Sequence, residues 1–525
     1  MSTIAAFVDG LASRYGTKAA IIGDDEVVSF SELAQRSEQV AAGLATLGIG
    51  PGDRVAIWLP NMPAWLEVAF ACARLGAIVI SCNTRFRRTE MADILSRSGA
   101  KALVLSTAFR QIRFLDIIAE IPVDHLGTLE SIVVVDRDEP GPSLVHGRRA
   151  VSLAGLRREA TPVASKPAPG TGFITFLTSG TTSLPKFALH SQAAVVQHAE
   201  DVADAFGYRS ENAVILTMNP LCGVLGFNLS LAALAAGAPQ ILPVTFDAGR
   251  VAEAMLRYKV THTAGIDEAL LRLLDAVPDT PAFPSLQAVG SGSYNGDFEA
   301  FVRHAEGRGM CVFGIYGMSE VMALFSRQPA EASVEIRGRA GGVPVNRLTR
   351  VRARDPETGA LLPHGQAGEL EFISPTMMLG YLGDPAATAR AMTRDGFLRS
   401  GDVGHTNADG SFTFVARMGD ALRLSGFLVS PQEIANILEA HPAVGRCQVV
   451  GLQVASTMRA VAFVTASGVA AFDEAALIVH CKDRLAPFKA PVRILQVDEF
   501  PIAAGPNGEK VQRGKLRELA AAALG

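Results

Sequence analysis

Thr178-Ser179-Gly180-Thr181-Thr182-Ser183-Leu184-Pro185-Lys186 follows directly on an apolar run at residues 173–177. A short apolar run closed by small polar residues reads as a buried strand feeding a loop. Five hydroxyl side chains, one glycine and one lysine fall within nine positions. Small residues let backbone N–H groups approach phosphate oxygens, hydroxyls donate to them, and a lysine adds a point charge. A Walker A loop needs Gly immediately before its Lys and Ser or Thr immediately after. Pro185 and Phe187 stand there instead, so this is a different phosphate loop or an ordinary polar turn.

Upstream, residues 159–172 are rich in Pro, Ala and Gly and read as a connector. Before that connector, short apolar runs at 54–59, 78–81, 102–106 and 131–135 read as strands. Helical spacing fills some of the intervals, as at 65–75, which implies crossover units and a largely parallel sheet. Ile4, Phe7, Val8 and Leu11 also follow helical spacing. Downstream, strand candidates lie at 174–178, 213–217, 240–244 and 310–313. Between about 335 and 416 the texture changes to short alternating segments (348–353, 368–373, 411–416) cut by Gly, Asp and Pro, which implies a β-rich part. A last segment of about 105 residues opens with Ser430-Pro431-Gln432-Glu433, a helix-start pattern.

Composition narrows the function classes. The 525 residues are 49% hydrophobic and 19% charged, far from a disordered chain. Lys and Arg number 48 against 52 Asp and Glu, a net charge of −4, so nothing resembles the basic footprint of a nucleic-acid binder. The six cysteines are scattered without a CxxC, and the ten histidines form no HxxxH; a disulfide framework and a histidine-built metal site are not expected. The apolar stretches at 64–82 and 228–243 are broken by polar residues and make poor membrane spans. No secretory signal opens the chain and no peroxisomal address closes it, so a cytoplasmic location is expected.

Further motifs stand in order along the chain. Gly290-Ser291-Gly292-Ser293 is a small-residue segment, and Gly314-Ile315-Tyr316-Gly317-Met318-Ser319-Glu320 follows the strand at 310–313. Tyr316 offers a flat face for a base, Ser319 a donor for phosphate, and Glu320 a hard oxygen ligand suited to Mg²⁺. On the residues alone this is equally a turn before a core helix, since Val321, Met322 and Leu324 continue apolar. Ser400-Gly401-Asp402 presents a carboxylate able to accept two hydroxyls, or a plain Asx turn. Arg417, Ser425-Gly426 and Asn507-Gly508-Glu509-Lys510-Val511-Gln512-Arg513 complete the series.

Together these blocks resemble the AMP-forming adenylating enzymes, the superfamily of acyl- and aryl-CoA synthetases, luciferases and peptide-synthetase adenylation domains, and most of all the acyl-CoA synthetases. The resemblance spans about residues 30–517, with departures at Ser183, Ser319, Gly419 and Glu509. It implies an α/β fold: a large N-terminal domain over 1–417, made of two α/β sheet subdomains (about 1–165 and 166–335) and a β-rich subdomain (336–417). A small mobile α+β domain over 418–525 would follow. It further implies ATP, Mg²⁺ and CoA as cofactor and co-substrates. Lys510 would act at the α-phosphate, Glu320 would hold the metal, and Ser319, Lys186 and Thr178–Thr182 would hold phosphates. Ser291, Gly292, Ser293, Gly314, Ile315 and Tyr316 would flank the adenine, Asp402 and Arg417 the ribose, and Ser425-Gly426 the thiol-bearing arm. Between half-reactions the small domain would turn about the hinge position, here Gly419 beside Asp420.

For the acid, the family's pocket wall matches Pro220-Leu221-Cys222-Gly223-Val224-Leu225-Gly226-Phe227, with Met318 beside it. Cys222 and Gly223 stand where bulkier residues are usual, which implies a wider pocket. No Asp occurs between 220 and 232, against an amino-acid substrate, and no Lys or Arg between 213 and 248, against a dicarboxylate. An apolar acid, aromatic, alicyclic or fatty, is expected. Cys222 is also read as a plain buried hydrophobe. A stand-alone ligase that loads a carrier protein and a nucleotide-binding pseudoenzyme are the alternatives; a homodimer is compatible with the chain.

Overall fold

A computed structural model describes residues 2–136, 144–145, 147–158, 165–178, 185–292, 298–356, 358–418, 422–425, 427–429, 431–454, 457–505 and 508–524. Helices and strands alternate through the first three hundred residues, and the expected α/β class is what the chain adopts. Two large sheets carry the N-terminal domain. The first has nine strands, running from Gly380–Tyr381 through Lys186–Ser191, Gly172–Thr178, Ile78–Ser81, Arg54–Trp58 and Ala102–Leu105 to the strands near residue 150. Its centre is parallel: Arg54–Trp58 lies between Ile78–Ser81 and Ala102–Leu105. The second sheet has thirteen strands. Its parallel half holds Ile215–Leu216, His262–Ile266, Ala288–Gly292 and Val312–Met318. Its antiparallel half holds Met322–Arg327, Gly341–Pro344, Phe412–Arg417, Leu398–Thr406, Gly368–Ile373 and Arg350–Arg354.

The sheets do not follow chain boundaries at 165 and 335. Ala19–Ile22 and Val27–Ser29 extend the second sheet, because Ala19–Ile22 pairs in parallel with Gln240–Ile241. Gly172–Thr178 and Lys186–Ser191 extend the first, through parallel pairing with Ile78–Ser81. The β-rich part is the antiparallel continuation of the second sheet rather than a third sheet.

Between the sheets lies an apolar layer. The helix Pro63–Leu75 starts with Pro at its first position and is buried on nearly every side. Its one acid, Glu67, is fully buried and satisfied by Arg36 and Arg157. An unpaired buried carboxylate would be costly, and two guanidiniums remove that cost. The helix Ile4–Tyr15 buries the expected Ile4, Phe7, Val8 and Leu11. Among the described residues, no helix is long and apolar enough to cross a membrane.

One sequence expectation shifts and one open alternative is decided. The strand expected at 310–313 runs over Val312–Met318, so Tyr316-Gly317-Met318 are strand residues. The apolar residues after Glu320 form a returning strand, Met322–Arg327, not a helix. Met322 and Leu324 take positive φ (70° and 61°), which kinks that strand out of any helical path. Gly317 permits the close return: a Cβ there would lie 2.5 Å from Ala323 Cα.

The C-terminal domain is a three-stranded sheet of Val444–Val454, Thr457–Ala466 and Arg493–Gln496, flanked by the helices Pro431–Glu439, Glu474–Arg484 and Arg513–Leu524. Two hairpins complete it. One joins Leu422–Leu424 to Phe427–Val429, and the other joins Ile502–Gly505 to Gly508–Val511.

Candidate active site

The phosphate-loop candidate is the connection of a hairpin. Thr178 pairs with Lys186 at the ends of two antiparallel strands, and residues 179–185 lie between them in the sequence. Ser179, Gly180, Thr181, Thr182 and Ser183 lie outside the described residues, as do Ser293, Gly419, Asp420 and Gly426. Thr178 is buried, and among the described residues its hydroxyl has no hydrogen-bond partner.

Alternation along Lys186–Ser191 sets Lys186 and His190 on one face. The Lys186 ammonium sits 4.2 Å from the centre of the Tyr381 ring. A cation over an aromatic face is held by the ring quadrupole. The Tyr381 hydroxyl donates to Glu320 Oε1 at 2.7 Å. The Met378 amide donates to the Glu320 carbonyl at 2.8 Å. His190 is fully buried, and burial pulls its imidazole down to about 4, so it is neutral near pH 7. Its Nε2 lies 2.7 Å from the Ser319 carbonyl and must therefore donate. The Ser319 hydroxyl donates to the Leu177 carbonyl at 3.3 Å. Thr178, Lys186, Ser319 and Glu320 are thus drawn together, with His190 and Tyr381 as the bolts.

A second cluster is shared by the strands Val312–Met318 and Leu398–Thr406. The Tyr316 hydroxyl donates to Asp402 Oδ2 at 2.6 Å, and both residues are buried. The Tyr316 ring packs edge-on to Phe412 at 5.2 Å and lies 5.5 Å from Phe372. Asp402 stands opposite Arg417 in the strand ladder, which places the two expected ribose contacts side by side on the backbone; the Arg417 side chain lies outside the described residues. Ser291 and Gly292 end the parallel strand Ala288–Gly292, and Ser291 pairs with Gly314. The Ser291 hydroxyl is fully buried with no partner among the described residues. Ile315 is core. Ligands in open α/β sheets bind beyond the carboxyl ends of the parallel strands, where these residues stand.

The pocket-wall segment is held from a distance. The Asn61 amide donates to the Asn219 carbonyl at 3.0 Å, and Asn61 Oδ1 accepts from the Leu221 amide at 2.8 Å. Asn219 in turn donates to the Ala264 carbonyl at 2.6 Å. Gly223 caps the helix Val224–Ala235. Gly226 is required by packing: a Cβ there would lie 2.3 Å from the Pro220 carbonyl oxygen. Leu221 and Phe227 are core side chains, the latter against Trp65 and Phe176, and Met318 is buried near Tyr316. Cys222 and Val224 are partly exposed. Although the Cys222 residue is partly exposed, its sulfur is enclosed, and this desolvation pushes the thiol up to about 12, so it stays protonated near pH 7.

Glu320 suits Mg²⁺ held by one carboxylate and substrate phosphates, the usual way this ion is bound. Among the described residues, no group of three or more His, Cys, Asp or Glu could hold a metal by itself. In the small domain, Ser425 takes φ 50° in the turn between Leu422–Leu424 and Phe427–Val429, the left-handed geometry of a tight hairpin. Lys510 pairs with Ala503 in the last hairpin; its side chain lies outside the described residues.

The model of the AMP-binding enzyme family matches residues 9–382, and that of the AMP-binding enzyme C-terminal domain matches 433–504. The chain belongs to the AMP-binding enzyme family. This adenylating chain is 27% identical to a putative acyl-CoA synthetase, YngI, of Bacillus subtilis, over 98% of this chain and 97% of the relative. It is also 27% identical to 4-coumarate–CoA ligase of Vanilla planifolia, over 98% and 92%. Among solved structures it matches the o-succinylbenzoate CoA synthetase MenE of Bacillus subtilis at 22% identity in two complexes. A double mutant bound to the product analogue OSB-NCoA superposes with a TM-score of 0.82 over 98% of both chains. The complex with the acyl-adenylate OSB-AMP gives 0.68 over 97% of both.

Sequence reading gives no role to His190, Asn61 or Tyr381. Period-two spacing from Lys186 would have flagged His190. No local signal points to Asn61, whose partners are about 160 residues away.

Proposed function

We propose that this chain is an AMP-forming acid–CoA ligase whose substrate is a carboxylic acid with an apolar body. The observation that carries the reading is the assembly of Lys186, Tyr381, Glu320 and Ser319 beside the Tyr316–Asp402 pair. It sets a cation, a hard carboxylate and hydroxyls next to an aromatic and carboxylate pair of the kind a nucleoside needs.

The chemistry has two displacements. The substrate carboxylate oxygen attacks the α-phosphorus of ATP; the bond to the bridging oxygen breaks and pyrophosphate leaves. The CoA thiolate then attacks the acyl carbonyl, and AMP leaves. In the first step two anions meet, so fixed positive charge and donors are the main need. Lys186 and Thr178, with the loop they bracket, hold the β- and γ-phosphates. Lys510 meets the α-phosphate. Glu320 would hold Mg²⁺, which when bound would neutralise phosphate charge. Asp402 and Arg417 hold the ribose, Tyr316 the adenine, and the Ser425 turn borders the path of the thiol arm. The partly exposed Cys222 and Val224, with Gly223 between them, give the acid an apolar wall without a charged side chain of its own.

The test is a panel of aromatic, alicyclic and fatty acids with ATP, Mg²⁺ and CoA, read as pyrophosphate release and by mass spectrometry of the thioesters. An acid that releases pyrophosphate and yields its CoA thioester supports the reading. Pyrophosphate release without any CoA-dependent AMP release would favour a carrier protein as acceptor. No pyrophosphate with any acid would overturn adenylation itself.

A further inference from the structure

Outside the site, the described residues bury one cation between two carboxylates at the seam of the two domains. Lys489, in the turn Pro487–Lys489 of the small domain, is 6% exposed. Its ammonium donates to Glu90 Oε1 of the large domain at 2.8 Å and to Glu433 Oε1 of its own domain at 2.7 Å. Glu90 is 7% exposed and has no idle oxygen: Oε1 also accepts from the Ala486 amide at 3.4 Å, and Oε2 from the Arg87 amide at 2.8 Å. Flanking contacts cross the same seam. Lys489 lies 5.3 Å from the Phe86 ring centre, and the Arg85 guanidinium 5.4 Å from that of Phe488. The helix Glu474–Arg484 packs on Arg88–Ser98.

A buried pair across a movable seam depends on the arrangement. Formed, it is satisfied; with one partner removed, it leaves an uncompensated buried charge. MenE, one enzyme with one fold, superposes better in its complex with a CoA product analogue than in its acyl-adenylate complex. The higher score belongs to the complex that holds the CoA product analogue.

We propose that Glu90 and Lys489 are a positioning pair for the second half-reaction, holding the small domain in the arrangement that brings CoA to the acyl-adenylate. Neither residue touches substrate. This rests on the acid–CoA ligase reading, and the test separates the two. Lys489→Gln leaves two buried carboxylates facing each other, which drives the seam apart. Glu90→Gln keeps an acceptor for the Arg87 amide, so the helix Arg88–Ser98 stays capped while the charge pairing is lost. Lys489→Arg keeps the charge.

The experiment uses the full chain. Hydrogen exchange without substrates reads residues 85–98 and 485–490, and the half-reactions are measured apart, as pyrophosphate release and as thioester formation from supplied acyl-AMP and CoA. In Lys489→Gln both segments lose protection, thioester formation falls about tenfold and pyrophosphate release stays within about twofold; Glu90→Gln follows with a smaller change and Lys489→Arg recovers. Unchanged protection, or equal loss of both half-reactions, would overturn the pair's role. If no acid releases pyrophosphate from the unmodified chain, the ligase reading falls, and the exchange data still decide whether the pair holds the seam.

Discussion

Glu320 and Glu90 are both buried carboxylates, 6% and 7% exposed, and they are satisfied in opposite ways. Glu320 accepts from a neutral hydroxyl of its own domain and sits in a turn bolted by backbone hydrogen bonds. Glu90 accepts from an ammonium that belongs to the other domain. A neutral donor inside one rigid unit fixes a carboxylate at little electrostatic cost and leaves its charge for a ligand. A charged donor across a seam gives a contact worth much when formed and nothing when parted. On the proposal made above, the first region holds still and the second is made and broken.

The largest expected effect tests whether the fixed region needs the moving one. Lys510→Ala should lower pyrophosphate release by about 10²- to 10³-fold, the scale of losing a charge-stabilising donor, and spare thioester formation from supplied acyl-AMP. Equal loss in both assays would show that Lys510 does not divide the work. Within the fixed region, Tyr381→Phe keeps the ring beneath Lys186 and removes only the donor to Glu320. Hydrogen bonds to charged groups are worth more than neutral ones, so adenylation should fall about tenfold with little change in thermal midpoint. Tyr381→Ala, which also removes the cation's seat, should fall further. If the Phe and Ala variants behave alike, the cation–ring contact carries nothing.

The motifs of the fixed region were legible because each is contiguous: the loop from Thr178 to Lys186, the run Tyr316 to Glu320, and Ser400 to Asp402. Their chemistry follows from residue type, and their order along the chain carried the family resemblance. What joins them was not legible. Tyr381 reaches Glu320 across 61 residues and Asn61 reaches Leu221 across 160, so no local pattern announces either contact. The alternative reading of the apolar run after Glu320 as a core helix fails because a short apolar stretch has no period of its own. The positive φ values at Met322 and Leu324, which send it back as a strand, follow from the packing of the hairpin and not from those residues' preferences. The seam was invisible for the same reason: Glu90 and Lys489 lie 399 residues apart.

The smallest expected effect concerns the neutral bolt. His190 drops from an ordinary 6.5 to about 4, chiefly through burial, with the nearby His198 pulling the same way while the Ser319 carbonyl opposes. Its folded value lies below its unfolded one. Between about pH 6.5 and about 4 the unfolded chain binds a proton the folded chain does not, so stability falls as pH falls through that window. His198 and His262 are lowered by burial too and steepen the same fall. His190→Gln keeps an N–H for the Ser319 carbonyl and cannot titrate. Urea unfolding at several pH values should therefore show a gentler acid slope, by up to about 1.4 kcal/mol per pH unit, with adenylation near pH 7.5 little changed. An unchanged slope would mean that His190 is not held neutral, and the turn bearing Glu320 would then rest partly on a charge, as the seam does.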